Sequence, residues 1–425
     1  MNVKLLKQKN FLLLVLGGFV SVLGSDMQNF ILSLYVLSLT GSGTKFASVL
    51  AIGIVPKIIL GPFAGVFADR FDRKKMMVGL DLLSGITVGV FALIYSVNDG
   101  LSLSYIYVLV ILLSLISIFF SPVDMAILPS IVRKEDLTEA NSINFGIARI
   151  ASLIAPMIGA ALYGVFGLFI ILIINSTSFI LAGISEIFIA VPKNAKSDNK
   201  FTVKNFFSDF SEGFRFVLSS KIIRSVILLG IFLNFAGTPM IGLINTYILK
   251  QVIKVSDMQL GLLESIMMVA MFTAPFICNY LSKKMKVINI LYLDNLIMGF
   301  IILSIALISS PLYINLFNSN FAPFVSMGIT CLLISILCGI NNILLGTILQ
   351  QETPNFMMGR VSSVLGTLLV IATPLGQMVF GVLLDKIPVY ICVAIVSTII
   401  IASSIMFKNL TSSPSKKLEI AITEE

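Results

Sequence analysis

Histidine and tryptophan are both absent from the 425 residues, cysteine occurs only four times, and Asp, Glu, Lys and Arg together supply only 12% of the chain. Without histidine there is no Ser-His-Asp or Cys-His nucleophile, no histidine metal site and no imidazole proton relay. The cysteines, at positions 278, 331, 338 and 392, lie scattered in apolar stretches, which excludes a disulfide framework and clustered zinc ligands. Lack of tryptophan leaves tyrosine to anchor any membrane interface. A phosphate-cradling GxxxxGK[ST] loop is also missing, which argues against a built-in nucleotide engine. The scarcity of charge matters most, because soluble domains are about 25% charged and about 45–50% apolar. Here 57% of residues are hydrophobic and the mean hydropathy is +1.03.

What the chain has instead is apolar runs of membrane-crossing length from end to end. A crossing helix needs about 20 mostly apolar residues. Twelve segments qualify: 11–38, 46–68, 76–96, 102–128, 142–165, 168–190, 223–249, 258–281, 287–310, 322–348, 360–384 and 387–407. They are continuous runs, not the short alternating strands of a barrel. The first follows Lys4, Lys7 and Lys9 like a signal peptide, but it lacks a small-residue cleavage site and runs too long. The net charge of +8 follows membrane topology rather than nucleic acid. With a cytoplasmic N-terminus, inside segments hold about 23 of the 29 basic residues. Only Lys45, Lys250, Lys254 and Lys386 fall outside, and Lys57 and Arg149 fall within spans. Both termini are therefore expected in the cytoplasm.

The expected organisation is a six-helix unit over 1–190, a linker over 191–222, a second six-helix unit over 223–407 and a polar tail over 408–425. In the linker, Phe206, Phe207, Phe210, Phe214 and Val217 share one helical face, opposite Ser208, Asp209, Glu212 and Arg215. This pattern predicts an amphipathic helix on the inner membrane surface, or a linker helix packed on the protein. The two units echo one another. Asp69 and Arg73-Lys74-Lys75 correspond to Ser282 and Lys283-Lys284-Met285-Lys286, Asp81 to Asp294, and Pro156 and Gly159 to Pro374 and Gly376. Nearly constant offsets point to duplication, the arrangement of carriers with a central site between two halves.

The segment Gly65-Val66-Phe67-Ala68-Asp69-Arg70-Phe71-Asp72-Arg73-Lys74-Lys75 resembles the cytoplasmic signature of the major facilitator superfamily. Other matching pieces are Asn10-Phe11, Gly24-Ser25-Asp26, Phe120-Ser121-Pro122, Leu137-Thr138-Glu139-Ala140-Asn141-Ser142, Ala148-Arg149, Pro156-Met157-Ile158-Gly159 and Gly359-Arg360-Val361-Ser362. Together they are similar to the bacterial efflux branch that includes macrolide exporters and the enterobactin exporter. The resemblance implies an all-α integral membrane fold of two pseudo-symmetric six-helix bundles. It also implies a cytoplasmic gate latch built from Gly65, Asp69, Arg70 and Arg73 with Asp81, Asp294 and Arg360. Asp69 would cap a helix of the other half near Gly359 and Arg360, where the helix dipole favours an anion. Two departures stand out: span four has no arginine, and the second copy of the loop has lost its acid.

A charge at mid-bilayer costs about 2.5–3.5 kcal/mol on insertion scales, so each needs a partner or a task. Asp26, beside Gln28 and Asn29 in span one, is a candidate for proton coupling or substrate contact, or else a carboxylate paired with Lys57 or Arg149. Glu264 in span eight is a second candidate for cation or proton binding, with a water-facing acid at a helix start as the alternative. Arg149 suits a buried carboxylate or an anionic substrate group. Asp81 and Asp294 read as symmetric gate or folding residues, and Asp124 and Glu186 as solvated or latch-linked acids. Gly17, Gly18, Gly61, Gly159 and Gly376, with Pro56, Pro62, Pro156, Pro275 and Pro374, read mainly as packing residues.

The expected function is a bacterial plasma-membrane exporter of hydrophobic or amphipathic small molecules, such as macrolide antibiotics or a siderophore. It would work by alternating access with proton antiport, as a monomer in the lipid bilayer, without cofactor, metal or nucleic acid. Asn175, Asn234, Asn341, Asn342 and Gln377 leave open a nutrient-uptake carrier, for example of a sugar. A membrane-embedded enzyme is the more remote alternative, since no nucleophile–base pair is present.

Overall fold

The computed structural model describes residues 5–61, 72–191, 203–317, 319–354 and 357–412, with the side chains of 126, 134, 138 and 203–209 left aside. Latch residues Gly65, Asp69 and Arg70, together with Pro62, lie outside the described residues. Eleven helices among the described residues are long and apolar enough to cross a membrane. One of them, Glu139–Ile187, has 49 residues, more than twice what one crossing requires. It is broken at Gly167, whose φ of 71° and ψ of −170° are not helical. Ser152 and Asn175 would stand about 35 Å apart on one straight helix. Yet they bond to Asp26 and Gln28, two positions apart on span one. The two legs therefore fold back on each other as spans five and six, which gives twelve crossings. The break falls in the gap expected between 165 and 168.

Span one is Lys9–Thr40, ended by Gly41 at φ 60°, and span two is described over Gly43–Gly61. Span three is Arg73–Asn98 and span four Leu103–Ile131. Asp72 accepts a bond from the Lys75 N–H at 3.1 Å and caps span three. Asn10 of the sequence motif ties the start of span one to the end of span six. Its Nδ2 donates to the Ala190 carbonyl at 3.2 Å and its Oδ1 accepts from the Ala190 N–H at 3.1 Å.

In the second half, span seven is Lys221–Val252, eight Asp257–Ser282, nine Val287–Ile308, ten Phe321–Glu352, eleven Met358–Lys386 and twelve Val389–Ser412. Span seven contains three wide π-helical turns, Leu233–Gly237, Met240–Ile244 and Ile248–Val252. Against the first of these, Phe235 packs on span eleven at Gly376.

The duplication is visible in individual bonds. In the first half Ser176 Oγ of span six donates to the Gly85 carbonyl of span three at 2.7 Å. In the second, Ser397 Oγ of span twelve donates to the Gly299 carbonyl of span nine at 2.8 Å. A Cβ at either glycine would crowd the facing helix, so both crossings depend on the missing side chain. The fold is two pseudo-symmetric six-helix bundles, as expected. The halves meet where span two packs on span eleven and span five on span eight. Large apolar side chains such as Leu93, Val97, Phe276 and Leu307 remain exposed on the outside, as a lipid-facing surface requires.

The linker helix is Val203–Ser219, and its contacts fit the expected alternative of a linker helix packed on the protein. It packs on the start of span eleven. Gly213 sits so close to Arg360 that an added Cβ would lie 2.7 Å from its carbonyl oxygen. Val217 is buried in a cluster with Ile223, Ile227, Met357, Val361 and Val364. Phe214 of the same stripe stays exposed, so protein covers only part of the apolar face, and a single residue separates the helix from span seven.

Candidate transport cavity and gates

A cavity of about 470 Å³ opens inside the first half, between spans one, two, three, four and six. Its polar lining includes Asp26, Gln28, Asn29, Lys57, Asp81 and Asn175. Every lining residue belongs to the N-terminal half.

Asp26 is half-buried and accepts a hydrogen bond from Ser152 Oγ at 2.6 Å. Neither alternative partner forms an ion pair with it among the described residues. Lys57 lines the same cavity, and Arg149 lies over the Phe145 ring at 4.6 Å while attracting the Asp26 carboxylate from a distance. Behind Asp26, buried Gln28 accepts from Asn175 Nδ2 at 2.8 Å, and Asn175 Oδ1 accepts from Ser178 Oγ at 3.1 Å. Gly24 makes room for this network, since a Cβ there would lie 2.3 Å from Ser178 Oγ. Asp26 and Arg149 are thus brought together. Glu264 stands in the other half, on span eight, the helix that meets span five where Gly261 touches Pro156. It is half-buried, about two turns into the helix that starts at Asp257, and has no hydrogen-bond partner among the described residues.

The symmetric acids have different partners. Asp81 and Asp294 are both buried. Asp294 Oδ2 accepts from Asn341 Nδ2 of span ten at 3.3 Å. Asp81 is in hydrogen-bond contact with the carboxyl group of Glu186 on span six. Glu186 is therefore not solvated, and its contact is with Asp81, a residue of the expected latch. Glu186 is buried, because Gly85 and Gly183 let spans three and six close on each other.

Arg360 pairs with Glu212 of the linker helix at 2.8 Å. Both side chains are substantially exposed, so Glu212→Gln is expected to change the unfolding temperature by no more than a degree or two, the effect of a surface pair worth under about 1 kcal/mol. A large loss in a thermal-shift measurement would contradict this.

At the opposite face from the linker helix, the halves are joined by a group the sequence did not single out. Asp385, at the end of span eleven, accepts from Ser42 Oγ at 2.6 Å, from the Gly43 N–H at 2.6 Å and from the Thr44 N–H at 3.1 Å. Ser42 through Thr44 open span two, so a carboxylate of one half caps the positive end of a helix in the other. Gly43 and Gly381 allow the approach, since a Cβ on Gly381 would lie 2.4 Å from the Ala47 Cβ. Ser42-Gly43 is a helix-start signal in the sequence, but nothing there marks a partner more than 340 positions away.

Two pseudo-symmetric six-helix bundles, glycine-tight at their crossings and with a polar cavity in the first of them, form the architecture of a membrane carrier. The chain belongs to the Major Facilitator Superfamily, whose family model matches residues 14–376. It is 24% identical to macrolide efflux protein A of Streptococcus pyogenes over 394 residues, 90% of this chain and 94% of that one. It is 28% identical over 248 residues to YkuC of Bacillus subtilis, an uncharacterised transporter of the same type, and that match spans only 56% of YkuC. Among solved structures it is similar to a bacterial homologue of the iron transporter ferroportin in an inward-facing state. That likeness has a TM-score of 0.72 at 19% identity, covering 96% of this chain and 100% of the other. The protein is a multi-pass membrane transporter.

Proposed function

We propose that this transporter exports hydrophobic or amphipathic small molecules, macrolide antibiotics first among them, from a bacterial cell by proton antiport. The two halves rock about their shared interface in alternating access. Asp26, Arg149 and Glu264 are the proton-coupling or substrate-contacting groups. The signature loop with Asp69, Arg70 and Arg73 forms the gate on the cytoplasmic side, and both termini lie in the cytoplasm. The observation that carries the reading is the near full-length similarity to a macrolide efflux protein. The half-buried Asp26 on a polar cavity supports it, because an acid in an apolar bundle is costly unless it binds something.

Inverted membrane vesicles given a radiolabelled macrolide and an inward-acid gradient test it. Uphill accumulation that collapses with a protonophore is the expected result, and Asp26→Asn is expected to abolish the part of it that the gradient drives. Accumulation indifferent to the gradient would refute antiport, and full activity of the Asn variant would remove Asp26 from the coupling role.

A further inference from the structure

Span three and span six approach unusually closely in the first half. A Cβ on Gly85 would lie 2.7 Å from Ile180 Cγ1, and one on Gly183 would lie 3.5 Å from the Asp81 Cβ. One turn beyond each glycine stands an acid, Asp81 on span three and Glu186 on span six. The closeness of the helices puts the two carboxyl groups in hydrogen-bond contact. Asp81 is 3% exposed and Glu186 4%. Two carboxylates offer only acceptors, so a bond between them requires that one carry a proton.

Asp81 Oδ2 and Glu186 Oε2 are buried, and neither accepts a hydrogen bond from any donor among the described residues. Asp81 also lines the 470 Å³ cavity, so the pair is not sealed in the core. The charged groups facing it are few. Asp124 of span four repels both acids electrostatically, while Asp26 of span one and Lys57 of span two line the same cavity. Lys57 forms no ion pair with any of them among the described residues. Among the described residues no Lys or Arg forms an ion pair with either acid.

We infer that Asp81 and Glu186 form a proton-binding site that holds one proton between two carboxyl groups at the end of the N-terminal cavity. The second half has no equivalent among the described residues. At the corresponding position Asp294 meets the amide of Asn341, which donates its own hydrogen and needs no proton from outside. Duplication thus produced two acids at matched places, and only one became half of a carboxyl pair. The site deepens the antiport reading and rests on it for any role in transport, as the place where the exchanged proton waits.

Infrared difference spectroscopy of the purified full-length protein in lipid tests the site without any transported substrate. The wild type is expected to show a protonated-carboxyl band belonging to the pair. That band is lost or displaced in both Asp81→Asn and Glu186→Gln, and unchanged in Asp294→Asn. Should either amide variant fail to fold, the exchanged pair Asp81→Glu with Glu186→Asp keeps two carboxyl groups and is expected to keep the band. A wild type without such a band, or a band indifferent to both amide substitutions, overturns the site. A band that behaves as expected in a protein showing no proton-driven transport upholds the site and defeats the antiport reading instead.

Discussion

Asp385→Ala is expected to release the face opposite the linker helix. The alanine removes one carboxylate from three donors at the start of span two, while Gly43, Gly381 and Ala47 keep the helices in contact. Because Asp385 is exposed, water competes for these donors, and the loss is about 1–2 kcal/mol in the closed state, roughly a 5- to 30-fold change in the closed-to-open ratio. The donors are rehydrated once the halves part, so the penalty falls on the closed arrangement alone. Spin labels near the opposite-face ends of spans two and eleven read this directly as a longer distance population. The Asp385→Asn variant retains one acceptor oxygen and is expected to lie between the alanine variant and the wild type. Identical distance distributions in all three proteins would show that the carboxylate does not hold the gate.

The second large effect is one of packing. Gly376→Ala is expected to destabilise the protein by at least about 1–3 kcal/mol, the usual cost of overpacking. An added Cβ would stand 1.8 Å from the carbonyl oxygen of Phe235 and 2.7 Å from its carbonyl carbon. Those are backbone atoms of a π-helical turn, and they cannot rotate away as a side chain would. Gly366→Ala, ten positions earlier on the same helix, meets nothing within 4 Å and is expected to be neutral or slightly stabilising. A thermal unfolding series in detergent checks both. Equal melting of Gly376→Ala and wild type would mean that spans seven and eleven can slide apart, and the tight crossing would lose its structural role.

Not every small residue named from the sequence has such a role. Gly17, Gly159 and Gly376 face neighbouring helices, whereas a Cβ on Gly18 or Gly61 meets nothing within 4 Å among the described residues. Helical spacing alone does not separate these cases, because adjacent glycines in one span point in directions about 100° apart and only one of them faces a partner. The acids show the same limit. Asp81 and Asp294 read as equivalent in sequence, yet one bonds a carboxyl group and the other an amide, because their partners come from different spans. The linker stripe of Phe210 and Val217 was legible as amphipathic, but whether lipid or protein covers it depends on where span eleven begins.

By itself, the sequence determined what one-dimensional patterns encode. Apolar runs of bilayer length set the crossings, since a backbone in lipid must satisfy its own hydrogen bonds and helices do so locally. Repeated acids, basic loops and glycines at nearly constant offsets revealed the duplication and led to the family. Tertiary structure alone decided which residues meet across it. Asp385 found the start of span two, Glu186 found Asp81, and the described cavity opened within one half, because these depend on how helices far apart in the chain pack side by side. Packing of that kind is set by the summed shapes of many side chains, which no local pattern of residues contains.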